Sequence, residues 1–202
     1  MATTDFEARQ LLKAYRKGLI SDELFEEQMK ELGSQQRYVY NGQSHASERE
    51  MLMHFLDEYR CGENFASEYL ARWIEVSDQG CVKGGLRTVQ QREAFHAQLL
   101  EARLRELGGI PQCTVPVERR EKEMSFYASA EKNDLEKLQS IAARIKNPAE
   151  VLKPITDVID QIQEDQHSKE LLRTIIDDEV SSVKWLLEAC ETLTAMKQAT
   201  AA

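Results

Sequence analysis

The chain has 202 residues, of which 30% are charged and 42% hydrophobic, with a formal net charge of −9. That acidic balance, with no cluster of Lys and Arg, excludes a large phosphate-binding face, so nucleic acid is not an expected partner. No apolar run is long enough to span a bilayer and Met1 to Gln10 carry neither a basic leader nor an apolar core, so the expected location is cytoplasmic, with no membrane partner.

The first 33 residues read as two short helices. Phe6, Leu11, Leu12 and Tyr15 line one apolar face, Gly18 supplies a left-handed stop, Ser21 caps the next helix, and Leu24, Phe25, Met29 and Leu32 carry it to Gly33. Residues 34–46, SQQRYVYNGQSHA, show little periodicity and several turn formers, and are expected to form a linker.

A long helix is expected from Ser47 to about Ser77, with a stripe of Leu52, Leu56, Tyr59, Glu63, Ala66, Leu70 and Trp73 in steps of three and four. The glycine-rich segment 78–85, DQGCVKGG, should reverse the chain. A second helix should run from Leu86 to Leu107 along Leu86, Val89, Glu93, His96, Leu100, Leu104 and Leu107, and stop at Gly108-Gly109. Periodicity resumes near Val117. Asn133 with Glu136 resembles a capping box, which puts a break at 132–134. Asn147 and Pro148 start another helix, with Val151, Ile155, Val158, Ile159 and Ile162 on one face. Ser168 should cap the last one, striped by Leu172, Ile175, Glu179, Ser182, Leu186, Cys190 and Leu193. Strand signals are essentially absent, so the expected fold class is all-α: a helix bundle over residues 47–198 preceded by the hairpin of residues 1–33.

Glu63, Glu93, His96 and Glu179 all fall on apolar stripes, and therefore point inward. Removing an ionised carboxylate from water costs several kcal/mol even after relaxation, so a core holding several of them needs a compensating charge, and a bound metal supplies it. In Glu93-Ala94-Phe95-His96 the acid and the imidazole share one helical face, so both can reach one ion. Such ligands suit iron or manganese. Without a cation the clustered acids would raise one another's pKa. Glu131 is the best third-helix candidate, on a stripe of Met124, Tyr127, Glu131, Leu135 and Leu138. Cys61, Cys81, Cys113 and Cys190 form no Cys-x-x-Cys pair, so neither a zinc ribbon nor a rubredoxin-type centre can be drawn; they read as reduced, packed thiols.

Two resemblances follow from these segments. LLKAYRKGLISDELFEEQMKEL resembles the short helical-hairpin module called SHOCT, which implies an oligomerisation or docking element. RCGENFASEYLARW followed by QQREAFHAQLLEARLRELGG resembles the first half of ferritin-like di-iron carboxylate proteins, in particular the quinone-biosynthesis di-iron hydroxylases, and is similar to rubrerythrin-like bundles. This resemblance implies a ferritin-like four-helix bundle with one or two iron ions, or manganese, held by Glu63, Glu93, His96, Glu131 and Glu179. The implied activity is that of a nonhaem oxidoreductase acting with dioxygen or peroxide (ferroxidase, peroxidase or hydroxylase), with an external electron donor and a homodimeric state. The fourth-helix segment Asp178-Glu179-Val180-Ser181-Ser182 departs from the family pattern, because Ser182 stands where a second histidine is expected.

Two alternatives accompany this reading. Glu93 and His96 can form a buried acid–imidazole hydrogen bond without metal. The bundle can also be a degenerate relative without redox activity, serving as an interaction or assembly module.

Overall fold

A computed structural model describes residues 2–33 and 38–201. The described residues form eight helices and one two-stranded hairpin, so the chain is mostly helical, as expected. It divides into two compact units, Met1–Ser47 and Glu48–Ala202.

In the first unit, α1 (Ala2–Arg16) and α2 (Asp22–Gly33) pack on each other around a Tyr15–Phe25 ring stack with centroids 4.3 Å apart. Gly18 takes a positive φ of 67° between them and the Ser21 hydroxyl accepts from the Leu24 amide at 3.3 Å, the stop and cap that the residues call for. The segment expected to be a linker differs. Tyr38–Tyr40 (β1) and Gln43–His45 (β2) pair antiparallel, with Val39 opposite Ser44. Asn41 and Gly42, both at positive φ (49° and 73°), make the tight turn. Asn-Gly is the strongest short hairpin signal, and here it outweighs weak alternation in three-residue strands.

In the second unit, α3 (Glu48–Val76) and α4 (Gly80–Glu106) form the longest paired surface, joined by a turn of only three residues, 77–79. The second helix thus begins six residues before Leu86, inside the segment expected to be turn. Val82, 2% exposed, extends the stripe Leu86–Val89 by one turn, and its burial together with that of Leu86 offsets the roughly 1 kcal/mol that a glycine costs a helix interior at Gly84 and Gly85. At the other end, Gly108 at φ 78° closes a Schellman motif: its amide donates to the Arg105 carbonyl and that of Gly109 to the Leu104 carbonyl, each at 2.9 Å.

Three shorter helices follow: α5 (Val117–Ala128), α6 (Asp134–Ala142) and α7 (Pro148–Gln161). The Asn133–Glu136 capping box forms in both directions, and the Asn147 side chain caps α7 with Pro148 in its first turn. The last helix, α8 (Gln166–Ala201), is capped by Asp165, whose Oδ1 accepts from the Ser168 amide at 2.9 Å. Ser168 is therefore not the cap but the third helical residue, fully buried, with its hydroxyl bonded to Asp165 and Arg103.

α8 runs antiparallel to α4. Arg103 meets Ser168 near one end and the Trp185 ring lies against Gly85 near the other, where a Cβ on the glycine would come within 1.9 Å of the indole. Between them, Arg92 meets Ser182 and His96 meets Asp178. Beyond this middle layer, Leu70, Trp73, Val82, Leu86, Val89, Tyr127, Leu135, Leu138, Cys190 and Leu193 form an apolar core. Toward the opposite end, Met51, Leu52, Phe55, Leu56, Leu100, Leu104, Ile155, Val158, Leu172 and Ile175 are buried on α3, α4, α7 and α8. No described helix is long and apolar enough to cross a membrane.

Candidate metal centre

The middle layer gathers three glutamates around one imidazole. Glu63 from α3, Glu93 and His96 from α4, and Glu179 from α8 converge there, because each occupies a stripe position whose neighbours three and four residues away are core residues. His96 is 1% exposed, Glu63 6% and Glu93 8%. The His96 Nδ1 lies 3.2 Å from Glu63 Oε2 and 3.3 Å from Glu179 Oε1. One ligand atom from each of Glu63, His96 and Glu179 falls within 4.8 Å of the others. Neighbouring ligands around an ion with bonds of about 2.1 Å are about 3.0–3.4 Å apart, so the two distances from Nδ1 suit a common ion.

The nitrogen on the other side of the ring has its own partner. His96 Nε2 lies 3.3 Å from Asp178 Oδ2, and Asp178 Oδ1 lies 3.3 Å from Arg92 Nε. A carboxylate on the far nitrogen fixes the tautomer, holds the ring and raises the basicity of the nitrogen facing the cluster. Asp178 was not among the expected site residues. It stands off the α8 stripe and is 39% exposed, so the only signal for it is its place beside Glu179.

Electrostatics show how crowded the layer is. Burial pushes the Glu93 carboxyl well above its ordinary range, and the neighbouring Glu63 and Glu179 charges push it further in the same direction. Burial also raises Glu179; the His96 charge opposes this and the Glu63 charge adds to it. For His96, burial works downward, but the carboxylates of Glu179, Glu63 and Asp178 facing its two nitrogens win and lift it to about 10. The Tyr59 phenol is raised by burial and then by the Glu63, Glu179 and Glu93 charges.

One buried acceptor is left over. Glu179 Oε1 faces Nδ1 at 3.3 Å as an ion pair but off the line of a well-formed hydrogen bond, and no other group donates to it. Only Tyr127 Oη, within the aromatic stack of Tyr69, Tyr127 and Trp73, shares that condition among the described residues. An unsatisfied buried polar atom costs about 1–3 kcal/mol, and more when charged, so the orphaned oxygen beside two other donors fits a cation.

Glu131 is corrected. It lies in the turn between α5 and α6, exposed, with its backbone amide bonded to Ser129 Oγ at 3.2 Å. The helix breaks at 129–133, before the capping box, and the stripe drawn through Glu131 loses its phase there. Ser182 is buried at 2% and accepts from Arg92 Nη1 at 3.2 Å, so its hydroxyl is engaged by a guanidinium. The four cysteines are free thiols. Compared with protein-family models, curated proteins and solved structures, the chain matches none.

Proposed function

We propose that this chain is a metal-binding helical protein of ferritin-like type that holds iron or manganese at Glu63, His96 and Glu179, with Glu93 alongside, and works as an oxidoreductase with dioxygen or peroxide. The observation that carries the reading is the orphaned Glu179 Oε1, buried against His96 Nδ1 and within 4.8 Å of ligand atoms of both His96 and Glu63. One imidazole nitrogen and two or three carboxylates are a donor set for first-row divalent metals. When bound, such an ion would supply one-electron chemistry, with the electrons coming from an external donor.

The residues around it have separate tasks. With a metal in place of the Nδ1 proton, Asp178 would hold the remaining proton on His96 Nε2 and so leave the Nδ1 lone pair directed between Glu63 and Glu179. The buried Tyr59 phenol stands beside the cluster, where the Glu63, Glu179 and Glu93 charges disfavour its ionisation. Glu93, held toward its protonated form, can hold or release a proton beside Glu63.

The second reading, a metal-free interaction module, draws on the same layer: a protonated His96 among three carboxylates already forms a buried ion cluster. Elemental analysis of chain purified without a metal-binding tag separates the two. Iron or manganese retained by the wild type and lost in His96→Ala and Glu179→Ala supports the centre. Metal absent from the wild type, or surviving both substitutions, refutes it.

A further inference from the structure

The number of ions can be argued from the α4–α8 face of the same layer. Beside the Glu63–His96–Glu179 group, Glu93, Asp178 and Ser182 are the side chains of this face from which a second ion could be held. That space has a tenant. The Arg92 guanidinium donates to Ser182 Oγ at 3.2 Å through Nη1 and sets its Nε 3.3 Å from Asp178 Oδ1. Its charge also reaches Glu93, where it opposes the effect of the neighbouring acids. Arginine stays charged at any working pH, and its planar fork is fixed by two partners at once.

Resting on the metal reading above, we infer that the centre takes one divalent ion per chain, and that Arg92, seated on Ser182 and Asp178, is the residue that excludes a second. Three observations meet here. Ser182 offers a hydroxyl that is already an acceptor for Arg92, and hydroxyls are poor ligands for these metals. Asp178 is shared between His96 and Arg92, so each of its oxygens has a partner. The α5–α6 segment, where a third-helix acid was expected, turns Glu131 to solvent. Against the four acids of the layer, one divalent ion and one guanidinium bring three positive charges. A second ion would have to displace the guanidinium and leave it partly buried beside another cation, since the Arg92 side chain is only 28% exposed.

Arg92 therefore acts as a specificity-determining residue: it sets how many ions the layer accepts without ligating any.

The test is a Mn(II) titration of the full chain followed by electron paramagnetic resonance, which counts bound ions by loss of the free Mn(II) signal and reports ion pairs by exchange coupling. The wild type should saturate at one uncoupled Mn(II) per chain, and a double variant, Arg92→Ala with Ser182→His, should take a second and show coupling. Two coupled ions in the wild type would overturn the inference while leaving the metal reading intact. A folded double variant, checked by far-ultraviolet circular dichroism, that still takes only one ion would show that Arg92 is not what excludes the second. No bound Mn(II) in the wild type, matching His96→Ala, would remove the metal reading and this inference with it. Ser182→His alone, with Arg92 in place, should stay at one ion, and a second ion in that variant would contradict the role given to Arg92; if the double variant does not fold, Arg92→Ala alone replaces it, with weak second Mn(II) binding expected and a count unchanged at one contradicting that role.

Discussion

The chain buries acids in two different ways, and the contrast locates the site. Asp134, 3% exposed at the start of α6, accepts from Trp73 Nε1 at 2.7 Å and from Ser77 Oγ at 2.8 Å. Glu48, 6% exposed at the start of α3, accepts from the backbone amides of Gln163, Glu164 and Asp165 at 2.7, 3.1 and 2.8 Å. Both have fixed neutral donors and tie distant segments together. In the middle layer the acids face one another and a single imidazole, two are pushed toward protonation, and one oxygen has no donor. The two architectural carboxylates are surrounded by donors, whereas the middle layer is short of them.

Substitutions at the two kinds of acid should therefore separate stability from metal binding. The largest effect is expected for His96→Ala, which removes the nitrogen donor and, in the metal-free protein, the imidazolium that faces Glu63 and Glu179. Metal affinity should fall by well over the roughly 10–100-fold typical of losing an outer-shell partner, and the metal-free protein should lose about 3–5 kcal/mol in a urea titration, as when a buried ion pair is broken from one side. Asp134→Ala should do the opposite: about 2–4 kcal/mol of stability lost with Trp73 and Ser77 left without an acceptor, and metal content unchanged. A change in metal content would break the contrast.

Gly85→Ala tests the packing of α8 on α4 that sets the register of the site. The added methyl meets the Trp185 ring, so overpacking of about 1–3 kcal/mol should exceed the gain of about 1 kcal/mol in helix propensity. Thermal melting reads the net sign, and a stabilised variant would show that the Trp185 contact is easily moved.

The smallest effect concerns pH. Burial works to raise the Asp165 carboxyl, but hydrogen bonds from Arg103 and Ser168 outweigh it and leave its pKa lowered. Its contribution is thus present above the unfolded-state value of about 3.9 and is lost as pH falls through the lowered folded value. Asp165→Asn should flatten the stability profile in that acid window and leave neutral pH metal binding alone; an unchanged slope would assign the acid sensitivity to other carboxylates.

What was legible in the residues was whatever the 3.6-residue period controls. Glu63, Glu93, His96 and Glu179 could be placed in one layer because each interrupts an otherwise apolar stripe, and a stripe position is also a direction. Groups that join the site from off the stripe were not legible. Asp178 and Arg92 lie off the apolar stripes, and only the crossing of α8 over α4 makes them partners. Glu131 failed for the complementary reason: a stripe drawn across a helix break carries no direction past it. Glycine was misread twice, as a turn at 80–85 where buried Val82 and Leu86 hold a helix, and as linker at Gly42 where Asn41-Gly42 closes a hairpin. In both, a local preference was settled by what the flanking residues could pair with or bury.

The central claim is that a cation belongs between His96 and the two glutamates. Crystals of the chain grown with Mn(II), with diffraction collected at the manganese edge, test it most directly. The account predicts one anomalous peak per chain at about 2.0–2.3 Å from His96 Nδ1, Glu63 and Glu179. A map with no peak there, and with His96 still held between Glu63, Glu179 and Asp178, would contradict it and leave a buried imidazolium as the layer's own cation.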